Sequence, residues 1–134
     1  MMSKTVLVVD DESHILHVVS LKLGNAGYEV LTAGDGEEGY ELACQSLPDL
    51  IITDLQMPYM TGVEMCARLK RNKATASIPA LLLTARGYAL GADDLQRTSI
   101  RHVLSKPFSP RELLDMIAEI LGESAGDGKA REAA

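Results

Sequence analysis

The sequence predicts an α/β domain built on a doubly wound, five-stranded parallel sheet of order 2-1-3-4-5, with helices on both faces. Three observations carry that expectation. Short apolar runs alternate with longer amphipathic ones, the pattern of a parallel sheet covered by helices. The runs VLVV (6–9), LII (50–52) and ALLL (80–83) are continuously apolar, as strands buried on both faces should be. YEVLTA (28–33) and RHVLS (101–105) carry Glu29, Arg101 and His102 and suit the two edges. With right-handed crossovers these constraints are met by 2-1-3-4-5.

Taken in order, strands are expected at 6–10, 28–33, 50–54, 80–84 and 102–105. Helices are expected at 13–26, 36–45, 62–72, 88–97 and 109–121. Asp11 or Ser13 is a candidate cap for the first helix. The fourth helical stretch contains Gly87 and Gly91, each costing about 1 kcal/mol against alanine in a helix interior. With only Tyr88, Leu90 and Leu95 for an apolar face, it should be short or mobile. In the fifth, Ser109 precedes Pro110 as an N-cap followed by a first-turn proline. Leu113, Leu114, Ile117, Ile120 and Leu121 form its apolar face. Residues 1–121 are therefore expected to be one domain, and the small, charged, aperiodic GESAGDGKAREAA to include a disordered tail over 122–134.

Composition narrows the function classes. A chain of 134 residues with 46% hydrophobic and 24% charged residues is long enough for one substantial core. A net charge of -6 opposes binding through nucleic-acid phosphates, and 4% aromatics without tryptophan oppose a base-stacking platform. No apolar run approaches membrane-spanning length, and Lys4 is followed by too few apolar residues for a signal peptide. A cytoplasmic location without membrane insertion is the expectation. Cys44 and Cys66 lack a zinc or redox spacing and read as reduced, semi-buried thiols.

The chemistry converges at strand ends. In an open parallel sheet, ligands bind beyond the carboxyl ends of the strands. Four apolar runs finish there with polar residues: Asp10 and Asp11, Asp54, Thr84, and Lys106 just after strand five. Strands one and three are expected to be neighbours about 4.8 Å apart, so Asp10 and Asp54 must approach each other. Two carboxylates about 4 Å apart repel by on the order of 4 kcal/mol at an effective dielectric of 20, so a compensating cation is expected. An oxygen-only donor set favours Mg²⁺ or a similar hard ion. A carboxylate, a metal nest, an ammonium and a hydroxyl are the parts that phosphoryl transfer needs. Each residue alone has a bland reading as a cap, a solvated loop acid or a surface lysine; their joint placement does not.

The segments VLVVDDE, IITDLQMPYMTG, LLLTAR and VLSKPF, in that order, resemble the receiver domain of bacterial two-component response regulators, chemotaxis regulators included. The resemblance spans residues 4 to 121 and implies a flavodoxin-like (βα)5 fold. It implies Asp54 as phosphoacceptor, with a sensor histidine kinase or phosphotransfer protein as donor. Asp11 would bind Mg²⁺ (or Mn²⁺) directly and Asp10 mainly through a metal-bound water, with Asp54 and the backbone carbonyl of Gln56 completing the set. Thr84 and Lys106 would hold the phosphoryl oxygens, the Lys106–Pro107 peptide being cis. Met57, Pro58 and Gly62 match the turn after the acceptor, and Glu12 should sit at the rim. Gln56 and Arg86 fall where the family modulates hydrolysis of the acyl phosphate. Neither is an obvious base for water, so a moderately long-lived phosphorylated state is expected. A downstream protein or a second copy would dock on helix 4, strand 5 and helix 5.

Two departures bear on switching. Many receivers place Tyr or Phe three residues before the lysine, and this chain has Val103. Transmission is then expected to rest on Thr84 and its loop, with phosphorylation changing the order of the fourth helix; His102 next door reads as an exposed edge residue. Gly39 and Tyr40 replace the usual alanine and leucine, with only a packing consequence expected. Two other functions are weighed. VVDDES distantly resembles aspartyl-nucleophile phosphatases of the haloacid dehalogenase type, with Asp10 as nucleophile, but the chain has no length for a cap domain. A receiver-like module working without phosphate is opposed by the intact acidic site. The tail leans toward a stand-alone receiver over a piece of a larger regulator or hybrid kinase.

Overall fold

The computed structural model describes residues 3–85 and 88–125. Five strands, β1 (Thr5–Val9), β2 (Glu29–Ala33), β3 (Leu50–Asp54), β4 (Ala80–Thr84) and β5 (Ile100–Ser105), alternate with five helices. The helices are α1 (Ser13–Asn25), α2 (Gly36–Ser46), α3 (Gly62–Arg71), α4 (Ala92–Arg97) and α5 (Pro110–Ala125). All pairings are parallel and the order is 2-1-3-4-5, as the apolar pattern predicts.

Successive side chains of a strand point to opposite faces, and that period divides the core in two. Leu7, Val9, Ile51, Ala80 and Leu82 face a layer shared with Met65, Cys66 and Leu69 of α3. Val6, Val8, Leu50, Ile52, Leu81 and Leu83 face the other, with Val19 and Leu23 of α1 and Leu113, Ile117 and Ile120 of α5. Both layers must be filled, so the three central strands are apolar at nearly every position. Burying each such side chain stabilises by roughly 1.5–3 kcal/mol. The edges β2 and β5 are only partly covered, which accounts for Glu29 and Arg101.

Helix starts explain several local choices. Thr61 accepts from the Glu64 N–H at 3.1 Å while Glu64 accepts from Thr61, and Ser109 and Glu112 repeat that reciprocal box in α5. Asp35 caps α2 by accepting from Glu38. On α1 neither Asp11 nor Ser13 caps: Glu12 is the N-cap residue and makes no side-chain cap bond. Its N–H donates to Asp10 instead.

Several bounds differ from the sequence expectation. Helix α4 starts at Ala92 rather than at 88, and nothing caps it: Gly91 precedes it without a side chain to offer. Strand β5 begins two residues early, at Ile100, which is buried in the layer shared with α3. Helix α5 continues through Gly122 to Ala125, so 122–125 are helix rather than tail. One glycine does not stop a helix already anchored by its preceding apolar turns. Residues 126–134 lie outside the described residues. Cys44 is half-buried, but Cys66 is fully buried, and burial pushes its thiol up to about 12, leaving it protonated and inert. The Tyr40 ring lies under the Arg68 guanidinium at 4.3 Å, and Gly39 leaves room for Met65 and Val9. Among the described residues, no helix is long and apolar enough to cross a membrane.

Candidate functional site

Four strand ends deliver the site. Asp10 follows β1, and its N–H donates to Ala33 of β2, holding it in the sheet's line. Asp54 ends β3 and Thr84 ends β4, and the Lys106 N–H donates to the Thr84 carbonyl at 2.8 Å. The sheet register thus sets Asp10, Asp54, Thr84 and Lys106 along one edge. The Lys106–Pro107 peptide is cis, as the resemblance implies.

Lys106 Nζ lies 2.8 Å from Asp54 Oδ1 and donates a hydrogen bond to it. Burial works against the ammonium, but the hydrogen bond and charge of Asp54, with Asp10 behind it, outweigh that and raise the Lys106 pKa. Asp10 is wholly buried. Desolvation pushes its carboxyl up to about 6, with the Asp54 charge adding to it; the Glu12 N–H and Lys106 pull the other way. One Asp10 oxygen accepts from Glu12 at 2.9 Å, and the other is buried without a partner.

That orphaned oxygen tests whether a cation fits. Asp10, Asp11 and Asp54 each offer an oxygen within 4.8 Å of the others, with Asp10 and Asp54 buried and Asp11 exposed. An all-carboxylate set with an exposed side suits a hard divalent ion that keeps some of its waters. Lys106 pairs with Asp54 and only partly offsets the charge of Asp10, so the residues fit such an ion. Beside them lies a cleft of about 380 Å³ lined by Asp54, Gln56, Thr84, Ala85, Lys106 and Pro107. Asp54 lines that cleft, whereas Asp10 is wholly buried behind it.

The other residues singled out in the sequence fall in or around this frame. Gln56 is exposed at the mouth, and Glu12 is exposed at the rim. Val103 is half-buried and, like Tyr88 and Leu90, packs on the layer shared with α3. Arg86 lies outside the described residues. His102 is half-buried rather than exposed, with Nε2 3.9 Å from Glu119 of α5. Gly62 does more than turn the chain. A β-carbon there would collide with the Asp54 carbonyl and crowd Thr53, so α3 starts hard against the strand that carries Asp54. Gly62→Ala is expected to cost roughly 1–3 kcal/mol by overpacking, read as a lower urea midpoint. A midpoint equal to that of the unaltered protein would mean the loop yields without cost.

A family model described as the response regulator receiver domain matches residues 6–118, and the chain belongs to that family. It is a receiver domain of the two-component type. It is 37% identical to the phosphate regulon transcriptional regulatory protein PhoB of Pseudomonas aeruginosa, over 97% of this chain and 57% of that protein. It is 40% identical to the alkaline phosphatase synthesis transcriptional regulatory protein PhoP of Bacillus subtilis, over 92% of this chain and 50% of that protein. The chain thus spans about half the length of those two regulators. Among solved structures, the chemotaxis response regulator CheY4 of Vibrio cholerae superposes with a TM-score of 0.82 at 34% identity, covering 89% of this chain and 99% of that one.

Proposed function

We propose that the chain is a phosphorylation-controlled switch in which Asp54 accepts a phosphoryl group from a phosphohistidine of a sensor histidine kinase or phosphotransfer protein. The observation that carries this reading is the 2.8 Å contact of Lys106 with Asp54, next to a buried Asp10 oxygen that has no partner. An Asp54 oxygen attacks phosphorus; the new P–O bond forms as the P–N bond breaks, and the donor imidazole leaves with the electron pair. Lys106 then holds one phosphoryl oxygen and the Thr84 hydroxyl donates to another. Asp10, Asp11, Asp54 and the Gln56 carbonyl would hold Mg²⁺ or Mn²⁺, which supplies charge neutralisation for the transferring oxygens.

The chain promotes only its own phosphorylation and dephosphorylation and is not an enzyme toward other substrates. Its place is the cytoplasm, with no direct nucleic-acid contact and no membrane insertion. The signal leaves through Thr84 and the segment leading into α4, altering how α4, β5 and α5 meet a downstream protein or a second copy. Val103 supplies no aromatic ring to that step. With Gln56 and Arg86 offering no base for water, the acyl phosphate should persist for minutes rather than seconds.

Incubation with acetyl phosphate and Mg²⁺ is expected to add one phosphoryl group by intact-mass measurement, and Asp54→Asn is expected to add none. Equal labelling of the two, or none of the unaltered chain, would sink the reading. Following the loss of that label after removal of acetyl phosphate, with Mg²⁺ kept present and no phosphatase added, tests the lifetime.

A further inference from the structure

The peptide that joins Asp54 to Leu55, where β3 ends and the loop to α3 begins, is held at both ends. The Leu55 N–H donates to the Leu83 carbonyl of β4 at 3.0 Å. The Asp54 carbonyl accepts from the Thr53 hydroxyl at 2.9 Å. Gly62, the first residue of α3, lies against the same two groups, since a β-carbon there would meet both the Asp54 carbonyl and the Thr53 side chain. The next carbonyl, that of Leu55, accepts from the Gly62 N–H at 2.9 Å.

Thr53 is wholly buried, with Val9 of β1 and Leu82 of β4 as its sheet partners. Valine has nearly the same shape and would fill that place between apolar neighbours. A buried hydroxyl costs free energy unless it is bonded, and this one is bonded to the backbone of Asp54. Because peptides are planar, holding the planes on either side of a residue fixes its two backbone torsions and so the direction of its side chain. The clamp on the Asp54–Leu55 plane thus aims the Asp54 carboxylate, which meets Lys106 at 2.8 Å. Group transfer is sensitive to such aim, and a displacement of about 1 Å can cost on the order of a hundredfold in rate.

We propose that Thr53 is a positioning residue for phosphoryl transfer, its hydroxyl acting through the Asp54 carbonyl without touching the reacting atoms. This rests on Asp54 being the acceptor, and the experiment separates the two. Thr53→Val keeps the shape and loses the hydroxyl, Thr53→Ser keeps the hydroxyl and loses the methyl group, and Thr53→Ala loses both. Each is labelled over a range of acetyl phosphate concentrations with Mg²⁺, well below its melting midpoint. Thr53→Val and Thr53→Ala are expected to label about tenfold more slowly at saturation, with KM for acetyl phosphate unchanged. Thr53→Ser should restore most of that rate, although the lost methyl group lowers its melting midpoint by about 4 °C. Labelling of Thr53→Val as fast as the unaltered chain overturns the inference. So does a loss in Thr53→Ser as large as in Thr53→Val, which marks packing, or a loss carried by KM alone. If Thr53→Val does not fold, Thr53→Ala set against Thr53→Ser decides in the same way. An unaltered chain that takes no label removes the reading of Asp54 itself, a result distinct from any difference among the variants.

Discussion

Metal-free Asp10→Asn is expected to be more stable than the unaltered protein and to lose its response to Mg²⁺. Burial raises the Asp10 carboxyl from 3.8 to about 6, so the folded state holds its charged form poorly. A shift of that size corresponds to on the order of 3 kcal/mol of destabilisation at pH 7. The direction follows from proton counting. Between pH 3.8 and 6 the folded chain binds more protons at this site than the unfolded chain, so the stability contributed by Asp10 falls as pH rises through that window. Below it the penalty vanishes, and above it the penalty is complete. Asparagine keeps the acceptor for the Glu12 N–H and removes the charge, so both the penalty and its pH dependence should disappear. Thermal melts from pH 4 to 8, with and without Mg²⁺, check this. In the unaltered protein Mg²⁺ should raise the midpoint at pH 7 and have little effect near pH 4; in the variant it should have little effect throughout. A variant less stable than the parent at pH 7, or still stabilised by Mg²⁺, would contradict the reading of Asp10 as a charge held for a cation.

Lys106→Ala should move the two readouts in opposite directions. Without the ammonium 2.8 Å from Asp54, two neighbouring carboxylates lose their counter-charge. The lysine side chain is about one-third exposed, so solvent discounts the loss of stability to on the order of 1 kcal/mol. A divalent ion would then enter a more negative site, and its affinity should rise by about tenfold. The phosphoryl group, by contrast, loses the cation that holds one of its oxygens. Beryllofluoride, which occupies the phosphoryl position, should therefore fail to shift the melting midpoint although Mg²⁺ binds more tightly. Weaker Mg²⁺ binding in the variant would mean that Lys106 organises the acids rather than competing with the ion.

These two residues illustrate how unevenly the site could be read in advance. That Asp10, Asp54, Thr84 and Lys106 share one edge was legible, because apolar runs fix strand ends and parallel pairing aligns those ends. Which of the adjacent acids is desolvated was not legible. Asp10 and Asp11 are one residue apart, yet one is wholly buried and the other exposed, since only the first lies in line with the sheet. The start of α1 at Ser13 was legible, but its capping was not, since neither Asp11 nor Ser13 caps it and Asp10 takes the Glu12 N–H.

The sequence alone determined the layered fold, the strand order and the roster of chemical groups at the carboxyl edge, since hydrophobic period and strand termination are local properties. Tertiary structure alone decided the Lys106–Asp54 pair across 52 residues, the partnerless Asp10 oxygen and the contact of Gly62 with the acceptor strand. Burial, charge pairing and close backbone approach depend on what distant segments bring to the same point in space, and no local pattern encodes that.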